Sequence, residues 1–285
     1  MAYNYIEYEV SDGIGRVTLN RPEKLNALSQ ELQDELMDCM RAADDDPEVR
    51  VITLRGNGRA FCAGYDITPP GEQTPEEEAR SKEMRENIRW DMHRMKKTPA
   101  RWTELLNLDK PIIVGVHGYC LAGGTDMAMH CDIIIAADDA QIGFPAVRSM
   151  GTPPTHMWTY MVGPQWAKWF LLTGESVNGK QAEEIGFALK SVPRENLDDA
   201  VEEMASKMAK IPWELLAANK SIVNKAMDLM GRNTLQQMAA EVDAVAHQAP
   251  IVYEFNRRSK EHGVKAALDW RDGPFRDYRG ADKKD

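Results

Sequence analysis

Two stretches decide how this sequence is read: Gly56-Asn-Gly-Arg-Ala-Phe-Cys-Ala-Gly-Tyr-Asp66 and Gly118-Tyr-Cys-Leu-Ala-Gly-Gly-Thr-Asp126. Each directly follows a short apolar run rich in β-branched residues, Val49–Leu54 and Pro111–Val116, which reads as a buried strand. Ala60, Ala63 and Gly64 are small and permit close approach to the backbone. Gly123 and Gly124 fall at the start of a short helix, Thr125–His130. At a helix start the N–H groups lack partners and the dipole favours negative charge. Two such loops can offer two N–H donors to one oxygen, as a developing oxyanion or enolate requires. Either loop alone reads equally well as a tightly packed strand-to-helix turn.

Working outward, Tyr5–Val10 and Arg16–Asn20 read as a hairpin turned at Asp12-Gly13. Ser29 can cap a helix whose apolar side holds Leu32, Leu36, Met37 and Met40, and Asp44-Asp-Asp-Pro47 stops it. From Pro69 to about Arg80 a Pro-, Gly-, Thr- and Glu-rich loop runs into one charged helix, expected over Pro75–Lys97. Asp132–Ala136 is a further strand. Beyond Gln165 the pattern turns helical, over Gln165–Leu172, Gly179–Gly186, Asn196–Ile211, Trp213–Leu229, Thr234–His247 and Val252–Trp270. The polar tail Arg271–Asp285 is expected to be partly ordered at most. Strand and helix alternate in the front part, so the class is α/β. The period alone leaves open an open doubly wound sheet or a stacked spiral of ββα turns.

Composition narrows the function. The chain has 285 residues, 43% hydrophobic and 28% charged, within the ordinary globular range. Its net charge of −10 supplies no basic face for nucleic acid. The same charge repels anionic ligands at long range, so an anion site has to be local. No run approaches the ~18 apolar residues of a membrane span. The first residues, MAYNYIEYEVSDG, carry no basic or apolar leader pattern, and the expected compartment is cytoplasmic. Cys39, Cys62, Cys120 and Cys131 form no CxxC and read as reduced, small buried hydrophobes. No dinucleotide fingerprint, P-loop or GxSxG elbow occurs, and the six histidines show no metal-ligand spacing.

The two loops, in this order and setting, resemble those of the crotonase (enoyl-CoA hydratase/isomerase) family. Asn20-Arg-Pro-Glu-Lys-Leu-Asn-Ala-Leu28 is similar to its N-terminal signature. Arg59–Ile67 is similar to its first oxyanion loop and Lys110–Asp132 to its second. Leu172-Thr-Gly174 and Ala182-Glu-Glu-Ile-Gly186 also fit, so the likeness runs from about Tyr5 to Tyr278. It implies a crotonase-like spiral of ββα turns with a helical C-terminal region. The expected division is a core over 1–195 that holds the site and a helical, oligomerising region over 196–285. It further implies a homotrimer or dimer of trimers, and an acyl-CoA substrate with no tightly bound cofactor and no metal. Coenzyme A enters as part of the thioester. Matched residue by residue, the oxyanion donors fall on the N–H groups of Tyr65 and Gly123. Lys24, Ala60, Ala63, Asp66 and Ile67 match the stretch that lines CoA, and Phe275 sits where such chains close over it. Lys24 or Arg21 can meet the CoA phosphates locally, although Lys24 also reads as a solvated loop lysine.

The sequence departs from the family at its catalytic carboxylates. Hydratases of this family use two glutamates. The first position is Asp126, one methylene shorter, compatible with proton transfer and also with a plain first-turn carboxylate. The second is Ala146, which transfers no proton. Arg148, Thr155 and His156 are the nearby replacements. A neutral His156 can serve as a base, or can simply make a structural bond at a helix start. Trp90, His93, Trp158 and Tyr160 are candidates for an acyl wall or for ordinary packing. The expected activity is that of an enoyl-CoA hydratase/isomerase that stabilises a thioester enolate. The alternatives are single-carboxylate isomerisation, β-diketone or acyl-CoA hydrolysis, and CoA-ester binding without catalysis.

Overall fold

The computed structural model describes residues 3–69, 71 and 74–275. The tail beyond 275, including the end of the likeness at Tyr278, lies outside the described residues. The chain opens with β1 (Ile6–Ser11) and β2 (Ile14–Leu19), an antiparallel hairpin turned at Asp12 and Gly13. Helix α1 (Gln30–Asp45) starts where Ser29 Oγ accepts the Leu32 N–H, and it buries Leu32, Leu36, Met37, Met40 and Ala43. β3 (Val51–Gly56) then lies parallel to β2.

The single charged helix expected over Pro75–Lys97 is instead three pieces: α2 (Pro75–Glu86), α3 (Ile88–Met95) and α4 (Lys97–Leu106). Asn87 makes the first break. Its backbone is extended, and its side chain accepts from the Trp90 N–H to restart the helix as α3. An asparagine prefers this to sitting mid-helix, because its amide competes for backbone partners.

β4 (Ile112–Val116) is buried along its whole length. It is followed by β5 (Tyr119–Leu121), α5 (Gly123–Ala128), β6 (Ile133–Ala137) and β7 (Gln141–Gly143). Next come α6 (Trp158–Thr173), β8 (Ser176–Val177), α7 (Gly179–Glu184) and β9 (Lys190–Val192). α6 begins earlier than the pattern indicated and bends at Gly163, just before Pro164.

The strands sort into two sheets. Six form one sheet in the order β1-β2-β3-β4-β6-β9, parallel except for the β1 edge; β5, β7 and β8 form a second. Successive strands β4 and β5, then β6 and β7, leave the first sheet for the second. That alternation makes the chain a spiral of ββα turns rather than an open doubly wound sheet. The short second sheet escaped the sequence reading because strands of two or three residues carry no period.

The last sheet strand ends at Val192, and the rest is helical: α8 (Leu197–Met208), α9 (Trp213–Leu229), α10 (Arg232–Ala246), α11 (Pro250–His262) and α12 (Val264–Asp272). α8 lies on β3, β4 and β6, and Glu202 on it binds Arg16 at 2.9 Å and Arg55 at 2.5 Å. The helix expected over Val252–Trp270 is broken by Gly263, whose φ is 85°. All four cysteines are buried and free.

Candidate active site

The two glycine loops lie side by side. The first continues as a parallel partner of β5: Cys62 N–H donates to Tyr119 O at 2.9 Å and Leu121 N–H to Cys62 O at 3.1 Å. Gly64, at φ 110°, is one of the points of close approach. A Cβ there would stand 2.9 Å from Leu121 O and 3.4 Å from Gly123 N. A Cβ on Gly123 would meet the Tyr65 ring at 2.7 Å. Neither position has room for a side chain.

Around Tyr65 the backbone is pinned on both sides. Leu28 N–H donates to Gly64 O at 2.8 Å and Asp66 N–H to Leu28 O at 3.1 Å. The Tyr65 N–H between them donates to no backbone acceptor among the described residues, and neither does the Gly123 N–H. Ala122 precedes Gly123 with φ 47° and ψ −117°, a strained turn that starts α5. Two neighbouring, unengaged N–H donors thus occupy the positions the sequence singled out.

Asp126 lies on α5, one turn beyond Gly123, and is fully buried. Thr155 Oγ1 donates to its Oδ1 at 2.7 Å and the Tyr65 hydroxyl to its Oδ2 at 3.1 Å. Trp102 Nε1 donates in turn to the Tyr65 oxygen at 3.0 Å. Burial pushes the Asp126 carboxyl up to about 7, against the opposing pull of the Thr155 and Tyr65 bonds; the charge of Asp243 adds to the rise. A carboxyl poised there can take and give a proton at neutral pH. Burial and the charge of Asp126 push the Tyr65 phenol up as well, so it remains an O–H donor. The sequence pointed to Tyr65 for its N–H alone; its hydroxyl is a second contribution.

A second layer holds α5 in place. His130 Nδ1 lies 2.6 Å from Asp126 O, and Gln236 Nε2 lies 2.9 Å from His130 Nε2. Burial and the charge of Arg232 push His130 down to about 4, so the ring is neutral; Nδ1 carries the proton and Nε2 accepts. Gln236 Oε1 also accepts from Thr103 Oγ1 at 3.1 Å, which joins α4, α5 and α10.

His156 is not brought to Asp126. Its φ is 39°, and its Nε2 bonds Thr159 Oγ1 at 2.9 Å. It lines a hollow with Pro164, Lys168 and Leu171, and burial lowers its pKa. Its neighbour Thr155 reaches the carboxylate instead. Ala146 sits in the short turn Pro145–Arg148. Arg148 is spent on structure: it pairs with Asp272 at 3.2 Å, donates to Thr173 O at 3.0 Å and lies 3.8 Å over the Phe275 ring. Trp158 is core, fully buried against Phe170 and Phe187. Tyr160 donates to Met230 O at 3.3 Å, and Trp90 stacks near His93 on the partly exposed α3.

The stretch matched to CoA is shaped by Asn26. Its Nδ2 donates to Asn57 O and Ala60 O, both at 2.9 Å, and its Oδ1 accepts the Arg21 N–H at 2.9 Å. The sequence reading quoted Asn26 without a role; it is the buried polar clamp of the first loop. Arg21 pairs with Asp66 at 2.6 Å. Burial tends to raise Asp66, but its bonds from Thr68 and Arg21 outweigh this and keep it ionised. Lys24 is exposed, and its ammonium has no ion pair among the described residues. Ala60 is buried, whereas Ala63 and Ile67 are half-buried. No three His, Cys, Asp or Glu side chains gather as a metal-binding group among the described residues.

Comparison with known proteins agrees with this architecture. Residues 9–276 match the family described as enoyl-CoA hydratase/isomerase. A crystal structure of enoyl-CoA hydratase from Mycobacterium smegmatis superposes with a TM-score of 0.89 at 35% identity, over 99% of each chain. A probable mitochondrial enoyl-CoA hydratase of Dictyostelium discoideum is 36% identical over 79% of this chain and 75% of its own length. A hydroxycinnamoyl-CoA hydratase-lyase of Pseudomonas fluorescens is 30% identical over 93% and 92%. The fold and site therefore define an acyl-CoA enzyme of the hydratase/isomerase type. The chain belongs to the enoyl-CoA hydratase/isomerase family, with the crotonase fold.

Proposed function

We propose that this protein forms and protonates the enolate of an enoyl-CoA thioester. The thioester oxygen sits between the N–H groups of Tyr65 and Gly123, and Asp126 moves the proton at carbon 2. The observation that carries this is the pairing of two unengaged backbone donors with one buried carboxyl held near neutral pKa. The donors favour the enolate over the neutral ester, because charge develops on that oxygen only as the reaction proceeds. CoA lies along Lys24, Ala60, Ala63, Asp66 and Ile67, with Lys24 meeting a phosphate. It is part of the substrate, and no resident cofactor is invoked.

Asp126 alone suffices to move a double bond. It removes a proton from carbon 2 of a 3-enoyl ester, the C–H electrons form the enolate, and the same proton returns at carbon 4. Water addition needs a second proton-transferring group, which Ala146 is not. The names of the relatives favour water addition all the same. The hydrolytic alternative would gain from a His156 facing the thioester, and the His156 bond to Thr159 lends it no such support. Exposed Ile222, Val223, Leu229, Met238, Val242 and Val245 on α9 and α10 suit the proposed trimer or dimer of trimers. No helix among the described residues is long and apolar enough to cross a membrane.

The test is turnover of 2-enoyl-, 3-enoyl- and 3-hydroxyacyl-CoA esters by the purified protein, with products resolved by mass. Conversion by water gain or by a mass-neutral shift is expected. Tight binding of all the esters without conversion by any route would leave the protein a binder and overturn the proposal.

A further inference from the structure

We propose that Asp243 supplies the second proton-transferring group of this site, with His247 and Asp91 behind it to hold and tune it. This rests on the reading of Asp126 given above.

The argument begins with the buried face of α10, which carries Arg232, Gln236, Ala239, Ala240, Asp243 and Ala244. Gln236 meets His130, the residue that holds Asp126 by its carbonyl. Two turns further, ~10 Å along the axis, the same face presents Asp243, 3% exposed. Its Oδ1 accepts the Thr152 N–H at 2.8 Å. Thr155, three residues on, donates to Asp126 at 2.7 Å. One short segment therefore touches both carboxyls. At Gly151 a side chain would run into Asp243 Oδ1 and the His247 ring, so the segment lies directly on that pair.

Behind Asp243 the chain of groups runs outward. His247 Nε2 stands 3.4 Å from Asp243 Oδ1, and His247 Nδ1 stands 2.6 Å from Asp91 Oδ2. Arg94 Nη2 holds the other Asp91 oxygen at 2.7 Å and is itself more than half exposed. The groups facing Asp243 are His247 on its own helix and Asp91 and Arg94 on α3; across the site its charge reaches Tyr65 and Asp126. Lys96 and Glu241 pair at the outer edge of the same contact.

A structural clamp alone would not need this chemistry. An asparagine would accept the Thr152 N–H without burying a charge, and burying a charge is costly. Burial pushes Asp243 up to about 6, against the pull of His247, which leaves it below Asp126 at about 7. Both carboxyls are thus able to take or give a proton near neutral pH. His247 is drawn down by burial but raised further by the Asp91 contact and the charges of Asp243 and Asp91.

In water addition, Asp243 takes a proton from water as the water oxygen bonds carbon 3 of the 2-enoyl ester. The double-bond electrons move to the thioester oxygen as the enolate. Protonated Asp126 gives its proton to carbon 2 as the enolate collapses. The proton on Asp243 leaves to solvent and another returns to Asp126, so one water is added and both carboxyls are reset.

Two rates separate the roles: hydration of but-2-enoyl-CoA, and exchange of the carbon-2 hydrogens of butanoyl-CoA with D2O. Exchange needs only Asp126 and the N–H pair. For Asp243→Asn we expect hydration to fall about 100-fold or more, exchange to stay within about threefold, and the acid limb of the hydration pH profile near 6 to vanish. His247→Gln, which leaves Asp243 in place, should lower hydration less and move that limb. If Asp243→Asn does not fold, this second variant decides, and an unmoved limb overturns the proposal. Unchanged hydration in Asp243→Asn overturns it, as does a wild type that exchanges but adds no water. Equal loss of both rates also overturns it, because Asp243 would then only position the 149–156 segment. If Asp126→Asn keeps full exchange, the reading of Asp126 fails instead.

Discussion

The loops after β3 and β4 build their side of the site from backbone, whereas the α3–α10 side builds it from side chains. The loop side offers N–H groups fixed by strand pairing and by glycines that admit no Cβ. The helical side offers Asp91, Asp243 and His247, which come together from positions more than 150 residues apart. In the proposed function, backbone donors serve any thioester alike and so set the chemical class. Side chains brought in from afar can change without disturbing the loops, and in the proposed mechanism they set which reaction follows the enolate. The largest effect on the loop side is expected from Gly123→Pro, which deletes one donor and presses on the Tyr65 ring. Turnover should fall about 1000-fold or more, with circular dichroism showing a folded protein. An active, folded variant would remove Gly123 from the site.

Asp126→Asn tests where the two sides meet. Turnover should fall by about 10²–10⁴, while binding of a CoA ester changes little. Its effect on stability has the opposite sign. The folded-state pKa of Asp126 is raised, so the folded chain holds a proton that the unfolded chain releases from about pH 4 upward. That contribution is fully present below the unfolded value and is lost as pH rises through about 7. Above pH 7 the wild type carries a buried charge that the asparagine variant does not. The variant should therefore melt a few degrees higher at pH 8 and lose that advantage by about pH 4. Melting curves at the two pH values check this, and an equal difference at both would contradict the buried-charge account.

Tyr65→Phe should have a smaller effect. It removes the hydroxyl bond that stabilises ionised Asp126, so the Asp126 pKa rises further. The pH at which carbon-2 hydrogen exchange turns on should move up by about one unit, with about a fivefold loss of that rate at pH 7. An unshifted profile would mean the hydroxyl does not govern the carboxyl.

The contrast also explains what could be read from the sequence. β3, β4 and the two loops were legible because each is local: a β-branched run, then small residues, then a helix start. Ser29 as a cap and the apolar side of α1 were legible for the same reason. β5, β7 and β8 were not, since their only signal is a partner strand elsewhere in the chain. The break at Asn87 hid in a run polar enough to pass as one exposed helix. At the candidate site, the sequence singled out Asp126 and the two N–H groups by position, and the structure sets them near one another. Thr155 was named there only as one of three neighbours of Ala146, and the Tyr65 hydroxyl and the Asp243–His247 pair were not singled out at all. Asp243 and His247 read as ordinary polar residues of a helix, and only tertiary packing buries them. His156 was chosen for its chemistry, yet the chain turns it toward Thr159.

The smallest expected effect belongs to Lys24, the outermost point of the loop side. Arg21 is held by Asp66, whereas Lys24 makes no ion pair among the described residues and can meet a phosphate. The residue is exposed, and an exposed pair is worth only about 0–1 kcal/mol. Lys24→Ala should thus raise KM for a CoA ester about three- to fivefold and leave kcat unchanged, because a phosphate far from the reacting carbons is bound equally in ground and transition states. The effect should shrink between 0.05 and 0.5 M salt, as the screening length falls below ~5 Å. Pantetheine esters that lack the nucleotide phosphates should show no difference between the two proteins. A loss of kcat, or an equal penalty with the truncated ester, would mean that Lys24 shapes the first loop instead of meeting the phosphate.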